Sequence, residues 1–128
     1  MSTTASRLQQ ITLVAVPSTD QDKSIEFYER LGFEKRTDIP FGGQYRWVEV
    51  YPPSGSTGIA LALPREGGPV GVETGIILNT DDIDATHANL KSSGVDVDGE
   101  VSRMGDPVPP MFWFRDPDGH TLLVVESS

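Results

Sequence analysis

The sequence predicts an α+β fold made of two βαβββ modules paired around a cleft. Three observations carry that reading. The order strand, helix, strand, strand, strand is met twice along the chain. The helix signals recur, with Gly32 returning at Gly94 and Asp20 and Asp22 returning at Asp82 and Asp84. The turn residues Pro53 and Gly55 return at Pro117 and Gly119. All of these offsets are 62 or 64 residues, close to half the chain. One unit of that length has too little core to stand alone, so the two must pack together. Helices segregated beside largely antiparallel strands define the α+β class.

The elements follow in order. Met1 to Arg7 is polar and reads as a frayed end, so a flexible tail is placed at 1–8 and a single domain at 9–126. Module one spans about 9–64 and module two about 70–126. Gln10 to Val16 is a β-rich run stopped by Pro17, which predicts a strand. Ser18, Thr19 and Asp20 offer N-cap oxygens, and Ile25, Tyr28 and Leu31 then recur at helical spacing until Gly32. Phe33 to Thr37, Tyr45 to Tyr51 and Gly58 to Leu63 are three further strands. The runs Pro40 to Gly43 and Pro52 to Gly55 separate them. In the second half Val72 to Leu78 is a strand and Thr80 to Asp82 a helix cap, with two acids suited to the helix dipole. Ile83, His87 and Leu90 form one helix face, and Gly94 ends it. Val95 to Val97, Pro110 to Arg115 and Thr121 to Glu126 complete the pattern, the last two joined by a turn at Asp116 to Gly119.

Composition narrows the chemistry. The 128 residues hold no Cys, which removes disulfides, thiolate metal sites, a Cys nucleophile and a thiol switch. There are two His, His87 and His120, so a three-His metal site is impossible within one chain. The net charge of −9 disfavours nucleic acid and anionic membrane surfaces as partners. No run approaches the roughly 18–20 apolar residues that cross a bilayer. The N-terminus has no apolar signal region, so a cytoplasmic location is expected. A G-x-S-x-G nucleophile turn and a Gly-rich phosphate loop are both missing from the sequence.

Alternation along the strands assigns faces. Val48 and Val50 are expected in the core, which turns Trp47, Glu49 and Tyr51 to the cleft. By the same rule Phe112 and Phe114 are core, and Met111, Trp113 and Arg115 face the cleft. Ile59, Leu61 and Leu63 are core, leaving Ala60 and Ala62 on the cleft side. Leu122 and Val124 are core, so Thr121, Leu123 and Val125 look inward. Trp47, Tyr51, Met111 and Trp113 would stack on a flat or apolar ligand, or else pack a module junction or dimer interface. The small Ala60, Ala62 and Gly75 leave room beside them.

Glu73 and Glu49 are the candidate catalytic carboxylates. A carboxylate in an apolar cleft can act as a general base. For Glu49 the functional reading is an acceptor for a ligand N–H or cation. The plainer reading of Glu73 is a residue at a strand start, exposed or paired with a nearby Arg, and that of Glu49 is an ion pair with Arg46, Arg115 or another strand. His87 reads as a partly buried or surface helix residue, and His120 follows the turn. Arg46, Arg103 and Arg115 together suggest a local positive patch. The Pro- and Gly-rich run 103–110 would either close over the cleft or simply connect two strands.

Three stretches carry a family resemblance. Gln10 to Leu13 followed by Asp22-Lys-Ser-Ile-Glu-Phe-Tyr-Glu-Arg-Leu-Gly-Phe33 resembles the first module of the vicinal oxygen chelate superfamily. That superfamily holds glyoxalase I, bleomycin-resistance proteins and extradiol dioxygenases. Phe114-Arg-Asp-Pro-Asp-Gly119 and the strand after it resemble its last hairpin, and Trp47 to Pro53 resembles its third strand. The resemblance implies the glyoxalase/bleomycin-resistance/dioxygenase fold, often a homodimer, with a small-molecule cleft and with His120, after the last turn, near the cleft rim. It also implies four metal-ligand positions, one on each of four strands. These fall at Gln10, at Ala60 or Ala62, at Glu73 and at Leu123. Only Gln10 and Glu73 carry donor atoms, so no metal cofactor is expected, and any divalent metal would rest on those two residues.

Three functions are compared. The first is a resistance-type or sequestering module that binds a small organic molecule without a metal, with metal-free catalysis left open. Its ligand-binding residues are Gln10, Thr12, Trp47, Tyr51, Ala62, Met111, Trp113 and Leu123. The second is a metal-dependent glyoxalase-like lyase, isomerase or dioxygenase using Gln10 and Glu73. The third is a dimerising or regulatory protein whose cleft is filled by its own side chains.

Overall fold

The computed structural model of the chain describes residues 7–40, 46–62 and 71–127. The expected run 1–6, the punctuation at Phe41 to Gly43, and the strand ends at Tyr45 and Leu63 lie outside the described residues. Within them the expected order is realised. Module one holds β1 (Leu13–Pro17), α1 (Gln21–Arg30), β2 (Glu34–Pro40), β3 (Arg46–Tyr51) and β4 (Gly58–Ala62). Module two holds β5 (Glu73–Thr80), α2 (Ile83–Ser92), β6 (Asp96–Val97), β7 (Met111–Arg115) and β8 (Thr121–Glu126). The modules form two four-stranded sheets, ordered β1-β4-β3-β2 and β5-β8-β7-β6. In each, the edge strand before the helix runs parallel to the last strand, and the other pairs are antiparallel.

The helix ends are chemically the same in both modules. The Asp20 carboxylate accepts from the Lys23 N–H at 3.1 Å, and the Asp82 carboxylate accepts from the Ala85 N–H at 3.0 Å. These bonds satisfy amides that the helix itself leaves unpaired. Gly32 and Gly94 then take left-handed φ values of 101° and 80°. The amides of Phe33 and Val95 fold back to the carbonyls of Tyr28 and Leu90 at 3.0 and 3.1 Å. That is a Schellman closure, which favours glycine at the turning residue.

The predicted alternation places the core. Val48, Val50, Ile59, Leu61, Phe112, Phe114, Leu122 and Val124 are all buried in one cluster with Ile25, Phe27 and Tyr28 of α1 and with Ile83 at the start of α2. Phe27 reaches across the module boundary to Phe114, with ring centroids 6.3 Å apart. The strand expected from Gln10 begins instead at Leu13, and residues 10–12 are exposed. Among the described residues no helix is long and apolar enough to cross a membrane.

Both sheets carry a register irregularity that alternation alone does not show. In β2 it falls between Lys35 and Thr37, so Arg36 is the extra residue. In β5 it falls between Glu73 and Ile77, which pair with Thr121 and Leu123. Two more residues are used on β5 than on β8, with Gly75 at φ 76°. The Thr74 hydroxyl bridges the gap, donating to the Thr121 carbonyl at 2.9 Å and accepting from the Ile76 N–H at 3.1 Å. Bulges of this kind re-aim side chains and end regular pairing.

A charge network secures the outer edge of module one. Arg46 grips Asp38 through two bonds of 3.0 and 2.6 Å and reaches Asp22 at 2.6 Å. The Arg46 bonds, and then Lys35, hold the Asp38 carboxyl down at about 2. A carboxylate whose folded value lies below its unfolded one stabilises the fold above the unfolded value and loses that effect as pH falls. Arg46→Gln is therefore expected to cost about 1 kcal/mol at neutral pH, discounted for solvent screening. The difference from wild type should vanish as pH falls from about 4 toward 2. Urea unfolding of both proteins across that range checks it, and a pH-independent gap would contradict the assignment.

Candidate functional site

The predicted site residues gather in two places. The first is the exposed face of β3. Trp47, Glu49 and Tyr51 project from it together, because Val48 and Val50 project into the core. The Glu49 carboxylate accepts from Trp47 Nε1 at 2.6 Å and from the Tyr51 hydroxyl at 2.7 Å. Bonding to the Glu49 carboxylate, helped by partial burial and its charge, raises the Tyr51 hydroxyl above its ordinary value. The expected ion pair of Glu49 with Arg46 or Arg115 is not formed. Arg46 is committed to Asp38 and Asp22, and Arg115 to Asp96 and Asp98.

The Tyr51 ring is fixed from outside the strand. A Cβ on Gly58 would come within 2.7 Å of it, so the ring lies directly against the β4 backbone. Above the ring sits the guanidinium of Arg36, 4.5 Å from its centroid, in cation–π geometry. Arg36 itself is tied to Glu34 and to the carbonyls of Pro52, Pro53 and Gly55. Ala60, expected on the open face, pairs directly with Glu49 but is buried. Ala62 is half-buried, and its carbonyl accepts from the Ser18 N–H.

The second place is the exposed face of the other sheet. Glu73, Gly75, Ile76 and Ile77 of β5 surround a small cavity of about 90 Å³ with Trp113, Thr121 and Leu123. This space lies at the bulge, where β5 has two more residues than the facing stretch of β8. Glu73 is exposed at the strand start, the plainer of its two readings. Met111 is half-buried at the start of β7, opposite Val125. Arg115 holds Asp98, which also accepts from the Trp113 N–H at 3.2 Å.

Between the modules runs a groove where the cleft was expected, but most of its walls are not the residues assigned to that cleft. One part, of about 390 Å³, lies between Ile11, Val14 and Phe33 on one side and Thr74 to Asn79 on the other. An adjoining part of about 260 Å³ shares Phe33, Pro52, Leu78 and Asn79 with it and continues to Phe114 and Val124. Of the residues expected around the cleft, Gly75 lines this groove. The Trp47 and Trp113 sets occupy the sheet faces opposite the shared core instead. Gln10 and Thr12 are exposed ahead of β1, where the Thr12 carbonyl accepts from the Gly58 N–H.

Two further expectations are corrected. Arg46, Arg103 and Arg115 do not make a positive patch, because each is paired with Asp side chains. His120 is not at a rim but 0% exposed, in the seam between modules. Its Nε2 donates to the Pro17 carbonyl at 2.8 Å, and its Nδ1 accepts from the Val72 N–H at 3.2 Å. That pattern requires the neutral ring protonated on Nε2. Asp116 beside it accepts from the amides of His120 and Asp118 and from the Tyr28 hydroxyl. Burial raises the Asp116 carboxyl, and burial together with Asp116 raises Tyr28. His87 has the plain role expected for it, donating to the Asp98 carbonyl at 2.7 Å and packing on Phe112.

A metal does not fit what these residues offer. Asp116, Asp118 and His120 lie within 4.8 Å of one another. Both His120 nitrogens are already bonded to backbone, however, and Asp118 accepts from Thr19 across the seam. At the positions implied by the sequence resemblance, Ala60 and Leu123 have no donor atom and Gln10 lies outside the strand. Hard divalent cations need a fuller oxygen set than Glu73 supplies.

The fold has close relatives. The chain is 36% identical to a superfamily member from Sphaerobacter thermophilus, covering 94% of this chain and 98% of that one, with a TM-score of 0.84. It is 33% identical to TnmS3, an antibiotic binding protein from Streptomyces sp. CB03234, covering 97% and 100% with a TM-score of 0.82. The protein YetH of Bacillus subtilis (strain 168) is 31% identical over 122 residues, 93% of this chain and 99% of YetH. The family model that matches, over residues 10–124, is described as the Glyoxalase/Bleomycin resistance protein/Dioxygenase superfamily. With the paired βαβββ modules and relatives of that kind along nearly its whole length, this chain belongs to that superfamily.

Proposed function

We propose that the chain binds a small, largely apolar organic molecule on the sheet faces that carry Trp47 and Trp113, in a sequestering or resistance-type role. The observation that carries this is the space beneath Trp113. Its lining is Gly75, Ile76, Ile77, Leu123 and Trp113, with Thr121 and a single carboxylate, Glu73, as the polar members. Such walls recognise shape and ring faces rather than hold a Lewis acid. The likeness to an antibiotic binding protein supports the same reading. A metal-free proton transfer in such a site would fall to Glu73 or Glu49.

A space of about 90 Å³ receives the edge of a ring, and the rest of the ligand lies on open surface. Ile77 is 61% exposed beside it, and Trp47 is 40% exposed on the other sheet. A second copy of the chain, covering these faces, completes the site. The assembly works in the cytoplasm without a resident metal.

Tryptophan fluorescence during titration with acridine, a planar apolar probe, tests it. Saturable binding that is unchanged by EDTA is expected, and Trp113→Ala should weaken it about tenfold or more. Size-exclusion chromatography should give twice the 13.9 kDa chain mass. Absence of binding, or binding that appears only with added manganese, nickel or zinc, would overturn the reading.

A further inference from the structure

The geometry points to Glu49 as the specificity residue of the β3 face, selecting ligands that carry a positive charge on or beside a flat ring. This rests on the ligand-binding reading above and adds the chemical class of the ligand. Glu49 is set apart by what it lacks. No Lys or Arg among the described residues lies within ion-pair distance of it. Its two partners, the Trp47 indole and the Tyr51 hydroxyl, are neutral donors. They orient the carboxylate and leave its charge uncompensated. An ionised carboxylate has about four lone-pair sites, so about two remain for a ligand.

The surroundings match that charge with ring faces. Trp47 is partly open to solvent, and the Tyr51 ring is immobilised between Gly58 and Arg36. A planar cation can lie against the open Trp47 ring while its N–H reaches the free lone pairs. Stacking and a charge-assisted hydrogen bond then act together. Arg36 does not compete, since Glu34 and three carbonyls already occupy its donors. The net charge of −9 adds a long-range preference of the same sign. An anionic ligand would meet the Glu49 charge, while the donors of the neighbouring Arg36 are held by Glu34 and three carbonyls.

Paired probes of the same ring system test this. Proflavine is a planar cation at neutral pH, acridine is its neutral counterpart, and acridine carboxylate is the anion. Calorimetric titration of the full chain is expected to show proflavine binding about tenfold tighter than acridine, with the anion weakest. Glu49→Gln keeps the shape and removes the charge. It should abolish the preference for proflavine over acridine. In the unmodified protein, raising salt from roughly 50 to 500 mM should shrink the preference, because exposed charges are screened. Equal affinity for proflavine and acridine in wild type would overturn the charge assignment and leave ligand binding standing. So would a preference that survives Glu49→Gln or high salt. Binding of none of the probes would overturn both.

Discussion

Phe114→Ala is expected to lower the unfolding free energy by about 3–5 kcal/mol. Phe114 is buried at the place where the modules meet, and its ring stacks obliquely on Phe27 of α1. Large-to-small changes cost the lost transfer energy plus the energy of any cavity that cannot collapse. Phe114 already borders the groove of about 260 Å³, together with Leu31, Phe33, Leu78 and Leu90. The walls of that groove come from different elements of both modules. Shrinking one wall widens an existing opening rather than creating a small sealed void, so relaxation recovers little. A domain is typically stable by about 5–15 kcal/mol, so this loss is a large share of the total. Urea titration should show a lower midpoint with an unchanged slope. A loss below about 1 kcal/mol would mean that the modules are not joined through this ring.

His120→Ala is the second large effect, about 2–4 kcal/mol. The ring links the Pro17 carbonyl of module one to the Val72 amide of module two, two groups far apart in the chain. Alanine leaves the carbonyl and the amide without their partner and removes a side chain that is fully buried. Gln offers an acceptor and a donor at different spacing and should recover part of the loss, whereas Phe fills the volume and recovers no hydrogen bond. The order wild type, Gln, then Ala in thermal or urea unfolding is the check. Equal stability of Ala and wild type would show that water replaces both bonds and that the seam is open.

Local signals in the sequence decided much of this structure. Asp20 and Asp82 are caps because their side chains answer amides three residues on, and Gly32 and Gly94 end helices by taking a backbone sign that other residues avoid. The faces of β3 and β7 follow from alternation, which places Val48 in the core and Trp47 outside it. The misplacements share a different cause. Arg36 and Gly75 sit at irregularities that add residues without changing composition, so alternation passes over them. Gln10 belongs to an apolar-looking run, yet pairing with β4 starts only at Leu13. The pairing of Arg46 with Asp22 and Asp38, and the burial of His120 against Pro17, depend on residues brought together by the fold. Glu49 was assigned to the correct face, but its partners were expected among Arg side chains. The indole and phenol two residues to either side supply them instead.

The bulged strand β5 has a consequence for self-association. It is the outer strand of its sheet, with one row of amides and carbonyls turned outward. Straight edges of that kind template open-ended stacking and fibre growth. Here the left-handed Gly75 and the detour through Thr74 split the row into two short lengths on either side of the kink. Neither length reaches the six or seven residues that a steric zipper uses. Replacing the kink with regular strand would expose a continuous sticky edge at the place where the small cavity under Trp113 lies. Protection from aggregation and the hollow for a ring edge therefore share one irregularity.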